Sequence, residues 1–135
     1  MQRWIAAAAV GFAVSAPALS AHHAISSFYD SGRQVTVKGV VTEFLFVTPH
    51  PFLAIDVEDD GGAVRQWRLE MDNRSELSEV GVTRDTLKRG DRIVASGSPG
   101  REQPQTLYIR KLERPADGFW YEQVGSRPRI GAPRR

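Results

Sequence analysis

The sequence predicts a mostly β fold: a small five-stranded OB-like barrel with one short helix between strands 3 and 4. Three observations predict it. Apolar residues alternate at period two in several runs, Gly- and Asp-rich turns separate those runs, and one helix-capping pattern follows the third run. The order β-β-β-α-β-β is that of an OB barrel, which closes its sheet and limits exposed edges. A small open β-sandwich is the alternative fold.

The first half of the barrel is predicted from a long strand and a hairpin. The long strand covers Gln34–Val47, with a bend or bulge expected at Gly39 because glycine inside a strand pattern marks such features. The hairpin joins a second strand, Phe52–Val57, to a third, Val64–Met71. Its turn is Asp59–Gly62, since Asp and Gly tolerate the positive φ angles that tight turns require.

The second half begins with the one predicted helix. The helix runs from Asn73 to about Val80, with Asn73 as its N-cap and Glu76 three residues later in a capping-box pattern. Gly81 is a natural stop for it. The fourth strand is expected at Arg92–Ser98 and the last at Thr106–Glu113. These two strands complete the set that a five-stranded barrel needs.

The chain divides into four segments around one domain. Residues 1–21 are a predicted signal peptide and residues 22–33 a lead-in of little periodicity. Residues 34–114 form the OB-like domain. Residues 115–135 are predicted to be a packed strap followed by a disordered basic tail, because the last residues are rich in Gly, Pro and Arg.

The first 21 residues have the three parts of an export signal. Met1–Arg3 is a short positive region, Trp4–Val14 an apolar run, and Ser15–Ala21 a stretch of small residues suited to cleavage. The apolar run is shorter than the ~20 residues that span a bilayer. The sequence therefore predicts a periplasmic protein, exported and cleaved, with no transmembrane segment left in its mature form.

Composition excludes several classes of site and partner. The chain has no cysteine, so disulfides, thiolate metal sites and lipidation are excluded. Lys and Arg number 18 against 16 Asp and Glu, and the loss of Arg3 with the signal brings the mature net charge from +2 to about +1. That balance argues against nucleic acid as a partner.

The three histidines are the main candidates for chemistry. His22 and His23 lie at the predicted start of the mature protein, and His50 lies between Pro49 and Pro51 at the corner between strands 1 and 2. The two prolines restrict the backbone there, so we expect His50 on a stiff turn rather than in the core.

The cleavage position decides what the first two histidines offer a metal ion. Cleavage after Ala21 leaves His22 as the amino terminus, where amine and imidazole chelate together. Cleavage after Ser20 leaves His23 third, so that amine, amides and imidazole can surround an ion in a square plane. Both arrangements favour copper. Cleavage after Ala18 would weaken both arguments.

The hairpin predicts which residues meet His50. With the turn near Gly61, Ile55 pairs with Trp67, and His50 then falls near Glu70 and Asp72. We therefore predict metal ligands at His22, His23, His50 and Glu70, and ligand contacts at Trp67 and Asp72.

Each of these residues also has a plain structural interpretation. His50 could bond a neighbouring carbonyl, and Glu70 could form a surface ion pair with Arg68. Trp67 could belong to the core, because its neighbours alternate correctly for an inward face. The pair His22-His23 could be no more than a soluble terminus.

The motifs together resemble a family of small exported bacterial proteins of unknown function. The stretches that carry the resemblance are His22-His23, Thr48-Pro49-His50, Trp67-Arg68-Leu69-Glu70 and Gly81–Asp91. They cover most of residues 22–114 and occur in the family's order. The resemblance implies export and a shared fold, and it implies no activity.

These observations predict a small periplasmic binding protein with a histidine-based copper site, for capture or delivery of the ion. The alternative is a metal-free OB-like module that binds a protein or an oligosaccharide in the cell envelope. An enzyme is not expected, because the sequence has no nucleophile elbow, paired-carboxylate motif or H-E-x-x-H.

Overall fold

The computed structural model describes residues 25–125 and 127–132, with only the backbone of Val124. Neither helix within these residues is long and apolar enough to cross a bilayer. The helices are residues 25–28 (α1) and Arg74–Glu79 (α2). The strands are β1 (Val35–Leu45), β2 (Phe52–Glu58), β3 (Val64–Glu70), β4 (Arg92–Pro99), β5 (Thr106–Arg114), β6 (Phe119–Val124) and β7 (Arg127–Gly131).

The first five strands close into a barrel, as predicted. β1 pairs antiparallel with both β2 and β4, β2 with β3, and β4 with β5. A parallel pairing of Arg68–Glu70 with Thr106–Tyr108 joins β3 to β5 and completes the ring. This strand order is that of the OB barrel, so the alternative of an open sandwich is excluded.

Inward-facing residues of the barrel strands form one apolar core. Alternation along the strands buries one side chain in two, as in β2, where Leu53 and Ile55 are buried and their neighbours are only partly covered. Helix α2 lies between β3 and β4 and adds its buried Leu77 to the cluster. As predicted, Asn73 caps this helix, its side chain accepting a hydrogen bond from the Ser75 amide at 2.9 Å.

The irregularity of β1 does not fall where it was expected. The register shift against β2 lies between Val41 and Glu43, not at Gly39. Gly39 instead marks a close approach, because a Cβ there would lie 2.5 Å from the Asp56 carbonyl oxygen. Glycine is needed at this position because the backbone of β2 leaves no room for a side chain, and not because the strand forms a bulge there.

The carboxyl-terminal segment differs most from expectation. The strap expected from residue 115 is packed, but as strand β6, which pairs with β5. Residues 127–131 of the expected disordered tail form β7, which pairs with β6 and completes a hairpin on the barrel sheet. Tyr121 of β6 is fully buried and Ile130 of β7 packs against the core. This burial compensates for a composition rich in Arg, Pro and Gly. On the exposed face of the hairpin, an ion pair between Arg129 and Glu122 at 2.9 Å joins β7 to β6.

Candidate functional site

The barrel brings His50 and Glu70 together, as the hairpin register predicts. Ile55 pairs with Trp67 and Phe52 with Glu70, so the residues just before β2 lie beside the end of β3. There the His50 Nδ1 lies 2.7 Å from the Glu70 Oε1. Their side chains are 17% and 23% exposed, so the pair is partly shielded from water at the barrel surface.

Tyr29 is the third member of this group. Its hydroxyl donates a hydrogen bond to the Glu70 Oε2 at 2.5 Å, so each carboxylate oxygen has its own partner. Tyr29 directly follows α1, and its amide donates to the Ile25 carbonyl at 2.9 Å. A bridge between Tyr29 and Gly100 places this segment beside the loop between β4 and β5.

Arg101, on the β4–β5 loop, holds the amino-terminal segment in place. Its backbone amide donates to the Phe28 carbonyl at 2.9 Å, and its Nε donates to the Ser26 carbonyl at 3.1 Å. Its guanidinium also lies 3.9 Å from the Asp30 carboxylate. The segment that carries Tyr29 is therefore fixed by several hydrogen bonds and not by Tyr29 alone.

The electrostatics of the group favour a charged or strongly polarised pair. The hydrogen bond with Glu70 raises the pKa of His50 above its usual 6.5, against the opposing effect of burial. Burial would raise the pKa of Glu70, but hydrogen bonds from His50 and Tyr29 outweigh it and leave that pKa below its usual 4.5. Burial, followed by the hydrogen bond to Glu70, raises the pKa of Tyr29 far above its usual range.

These directions fix the roles of the atoms at neutral pH. Glu70 is ionised and only accepts hydrogen bonds, so the His50 Nδ1 must carry the hydrogen and donate it. The His50 Nε2 has no hydrogen-bond partner among the described residues. Because no polar side-chain atom of those residues is both buried and unpartnered, this nitrogen touches solvent. In neutral imidazole it presents a lone pair.

Of the other predicted site residues, the structure describes Asp72 and Trp67, and neither is hydrogen-bonded to His50 or Glu70. Asp72 is buried, and its Oδ1 accepts a hydrogen bond from the Asn73 amide at 2.7 Å; its charge contributes to the raised pKa of His50. Trp67 packs against the core, as its alternation indicates. His22 and His23 lie outside the described residues.

The plain interpretations of His50 and Glu70 differ from the contacts observed. His50 bonds a carboxylate and not a carbonyl. Arg68 forms no ion pair with Glu70; its guanidinium lies 4.0 Å from the centre of the Phe52 ring. The hydrogen bonds to the carboxylate come from His50 and Tyr29, and the charge of Arg68 only contributes to lowering the pKa of Glu70.

Sequence reasoning missed Tyr29. It lies in the lead-in of little periodicity, and its partner Glu70 is 41 residues away. One signal was available. A tyrosine in a polar lead-in is a candidate to pack back on the barrel, because a buried phenol needs a hydrogen-bond partner.

His50 and Glu70 do not form a complete metal site by themselves. Among residues 25–125 and 127–132, no three His, Cys, Asp or Glu side chains are grouped closely enough to hold a metal ion. The pair offers one imidazole nitrogen, oriented by a carboxylate. Any metal ion bound there would need ligands from elsewhere in the chain or from solvent.

Comparison with solved structures gives remote similarity to larger proteins. A ZRD-deleted mutant of TiaS in complex with agmatine shares 18% identity at a TM-score of 0.46, covering 76% of this chain and 26% of that one. A complex of TiaS with tRNA and ATP shares 16% at 0.45, covering 79% and 30%. A tRNA fluorescent labeling enzyme shares 13% at 0.41, covering 78% and 30%.

These structural similarities bear on neither the ligand nor the activity of this chain, because the TM-scores are below 0.5 and the chain spans less than a third of each protein. No curated protein sequence matches it. Residues 10–107 match the model of a family described as "Family of unknown function (DUF6152)". That match covers most of the barrel and agrees with the resemblance found in the sequence motifs. The chain belongs to this family of unknown function.

Proposed function

We propose that this protein is exported to the periplasm and there binds a metal ion, copper, at a site built around His50, for capture or delivery. One observation carries the proposal. The Nδ1 of His50 is held by the Glu70 carboxylate at 2.7 Å, while its Nε2 touches solvent and has no partner among the described residues.

The hydrogen bond to Glu70 suits His50 for metal binding. Histidine ligands commonly donate their second ring N–H to a carboxylate, which fixes the tautomer and makes the other nitrogen a better donor to the metal. Glu70 is itself held by the Tyr29 hydroxyl at 2.5 Å, so the carboxylate is oriented in turn. The metal would compete with a proton for the Nε2, and binding would release that proton where His50 is protonated.

The remaining ligands would come from the histidines that precede α1. Residue 25 is hydrogen-bonded to Tyr29, and Tyr29 to Glu70. His23 is two residues before Ile25 and His22 three, so covalent geometry keeps their Cα atoms within about 7 Å and about 11 Å of the Ile25 Cα. Nitrogen ligands of this kind favour copper.

Export rests on the sequence of residues 1–21, with its positive start, apolar run and small residues before the paired histidines. It matters for the chemistry, since cleavage would free an amine beside His22 or His23. Mass spectrometry of the protein purified from the periplasm would locate the cleavage site. An uncleaved chain would contradict both the location and the amine ligand.

Titration of the mature protein with Cu(II) tests the metal site. We expect paramagnetic resonance spectra with nitrogen hyperfine structure, and a His50→Gln variant should lose one nitrogen and at least about tenfold in affinity. Glu70→Gln should weaken binding by about 10–100-fold, since it removes the orienting carboxylate. Glu43→Gln, which alters an exposed carboxylate on β1, is the matched control.

The outcome that contradicts the proposal is specific. If His50→Gln and Glu70→Gln bind copper with unchanged affinity and unchanged spectra, the ion does not use this site. A His22→Ala, His23→Ala double variant distinguishes the contribution of the terminal histidines from that of His50. Binding lost only in that variant would indicate a terminal chelate without His50.

A second function is favoured by one observation. Phe28 is 70% exposed at the edge of a cleft of about 400 Å³ that Arg68, Glu70 and Arg101 also line. An exposed aromatic beside polar side chains suits stacking against a sugar, so the alternative is a metal-free OB-like module that binds an oligosaccharide. Saturable binding of a cell-wall oligosaccharide in the presence of chelator, abolished in Phe28→Ala, would support it.

A further inference from the structure

A second cavity lies beside α1 and shares Tyr29 with the cleft that Glu70 lines. It has a volume of about 220 Å³, several times the ~30 Å³ that one water occupies in the liquid. Its wall includes Ser98 of β4, Tyr108 of β5 and Gln123 of β6. Ser98 and Tyr108 face each other in the β4–β5 ladder, so their side chains share one face of the sheet.

Three of the polar side chains that line this cavity are buried, and two of them have hydroxyls without a hydrogen-bond partner among the described residues. Ser98, Tyr108 and Gln123 are only 4%, 4% and 3% exposed. The hydroxyls of Ser98 and Tyr108 have no hydrogen-bond partner among residues 25–125 and 127–132. Among those residues, every polar side-chain atom that lacks a partner is in contact with open space. The two hydroxyls therefore open onto the cavity that they line.

Gln123 adds a third donor. Its Oε1 accepts a hydrogen bond from the Tyr121 hydroxyl at 3.4 Å, which orients the carboxamide and leaves its NH₂ group as the remaining polar end. Burial, followed by the charge of Asp72, raises the pKa of Tyr108 far above its usual range, so its hydroxyl remains protonated and can donate. The cavity therefore has three neutral groups able to donate to one ligand.

The charge of the wall indicates which ligand fits. Arg110 is the one charged residue among the described residues that line the cavity, while the carboxylates of Asp72 and Glu70 act on Tyr108 from outside that lining. The guanidinium of Arg110 together with three neutral hydrogen-bond donors matches a small oxyanion. Hydrogen bonds to an ionised oxygen are charge-assisted and therefore stronger than bonds to a neutral ligand. Tyr29 and Ile25 supply an apolar side for a short carbon chain.

We propose that this cavity is a binding site for a small carboxylate, held by Ser98, Tyr108, Gln123 and Arg110 beside α1. The site is independent of the copper proposal, because it uses neither His50 nor the histidines before residue 25. The two sites share only Tyr29, whose ring lies 5.7 Å from that of Tyr108. Failure of one proposal therefore leaves the other standing.

The test uses ¹⁵N-labelled mature protein, freed of metal with a chelator and kept in carboxylate-free buffer. Titration with sodium acetate should shift the Gln123 side-chain NH₂ signals saturably. Acetamide, the neutral isostere, should bind at least about tenfold more weakly, because it loses the charge-assisted bonds. Tyr108→Phe and Ser98→Ala should each lower acetate affinity by about 3–10-fold, while Ser96→Ala, a hydroxyl on the same strand outside the cavity wall, should leave it unchanged.

Several results would overturn the proposal. Shifts that grow linearly with acetate, or acetate affinity unchanged in both Tyr108→Phe and Ser98→Ala, would show that no ligand binds at these groups. Sulfate binding tighter than acetate would contradict the carboxylate assignment. A crystal grown in acetate that shows only ordered waters on Ser98 and Tyr108 would identify the space as a hydrated cavity.

Discussion

The hydroxyl of Tyr29 donates to the Oε2 of Glu70 at 2.5 Å, across 41 residues of sequence. The same carboxylate orients His50 through its other oxygen. The segment that follows the paired histidines is thus anchored on the group that positions the Pro-His-Pro corner. This link supports the proposed metal site, which would be assembled from both segments.

The raised pKa of His50 should depend on Glu70. Glu70→Gln should lower the pKa of His50, because the hydrogen bond and charge of the carboxylate are the main causes of its rise. NMR titration of the His50 ring signals measures this directly, in a His22→Ala, His23→Ala background that leaves one histidine in the chain. Glu43→Gln should leave the value unchanged, and an unaltered pKa in Glu70→Gln would contradict the assignment.

The His50–Glu70 pair should stabilise the fold in a limited pH window. The His50 pKa is raised, so its contribution is present below pH 6.5 and is lost as pH rises through the folded pKa. The Glu70 pKa is lowered, so its contribution is present above pH 4.5 and is lost as pH falls through the folded pKa. The unfolding free energy that Glu70→Gln removes should therefore be largest between these limits, at about 1–3 kcal/mol.

Urea denaturation at about pH 5.5 and about pH 8.5 measures that window. The difference between wild type and Glu70→Gln should be smaller at the higher pH, where His50 is neutral and only a hydrogen bond remains. A difference that grows with pH would mean that the two groups do not form an ion pair in the folded protein.

Arg101 should control the mobility of the amino-terminal segment. Arg101→Ala removes the side-chain bond to the Ser26 carbonyl and the contact with Asp30, so local opening should cost about 1 kcal/mol less. Amide exchange at Tyr29 should then be about fivefold faster. Arg65→Ala, which removes an exposed ion pair in the β2–β3 hairpin, serves as control. Equal exchange at Tyr29 in both variants would show that Arg101 does not hold α1.

The terminal hairpin should be part of the cooperative fold. Tyr121→Ala should lower the unfolding free energy by about 3–5 kcal/mol, since Tyr121 is fully buried against the barrel core. Glu122→Ala, which removes the exposed pair with Arg129, should cost under about 1 kcal/mol. Denaturant unfolding compares them. Similar small losses in both variants would mean that β6 is a detachable strap.

The barrel and half of the candidate site could be predicted because they depend on short-range signals. The Asp- and Gly-rich turn sets the register of β2 and β3, and that register carries Ile55 to Trp67 and His50 to the neighbourhood of Glu70. Alternation along each strand then decides which side chains face the core.

The rest depended on packing between distant segments. The hydrogen bond between Tyr29 and Glu70 depends on the packing of the α1 segment against the β4–β5 loop. No periodicity in the sequence indicates this packing. The terminal hairpin was misjudged for a related reason. Its Arg, Pro and Gly content resembles that of an unstructured tail, whereas buried Tyr121 supplies the stabilisation that composition does not reveal.

The anchoring of α1 by Arg101 also affects how the protein should be prepared for study. A polyhistidine tag fused upstream would introduce foreign imidazoles beside the tethered segment, where they could chelate copper themselves. The opposite end is a safer attachment point, because β7 forms the outer strand of the terminal hairpin and pairs with β6 rather than with a barrel strand. Copper affinities measured on untagged protein, or on protein with a histidine-free tag at the carboxyl terminus, would then belong to the native chain.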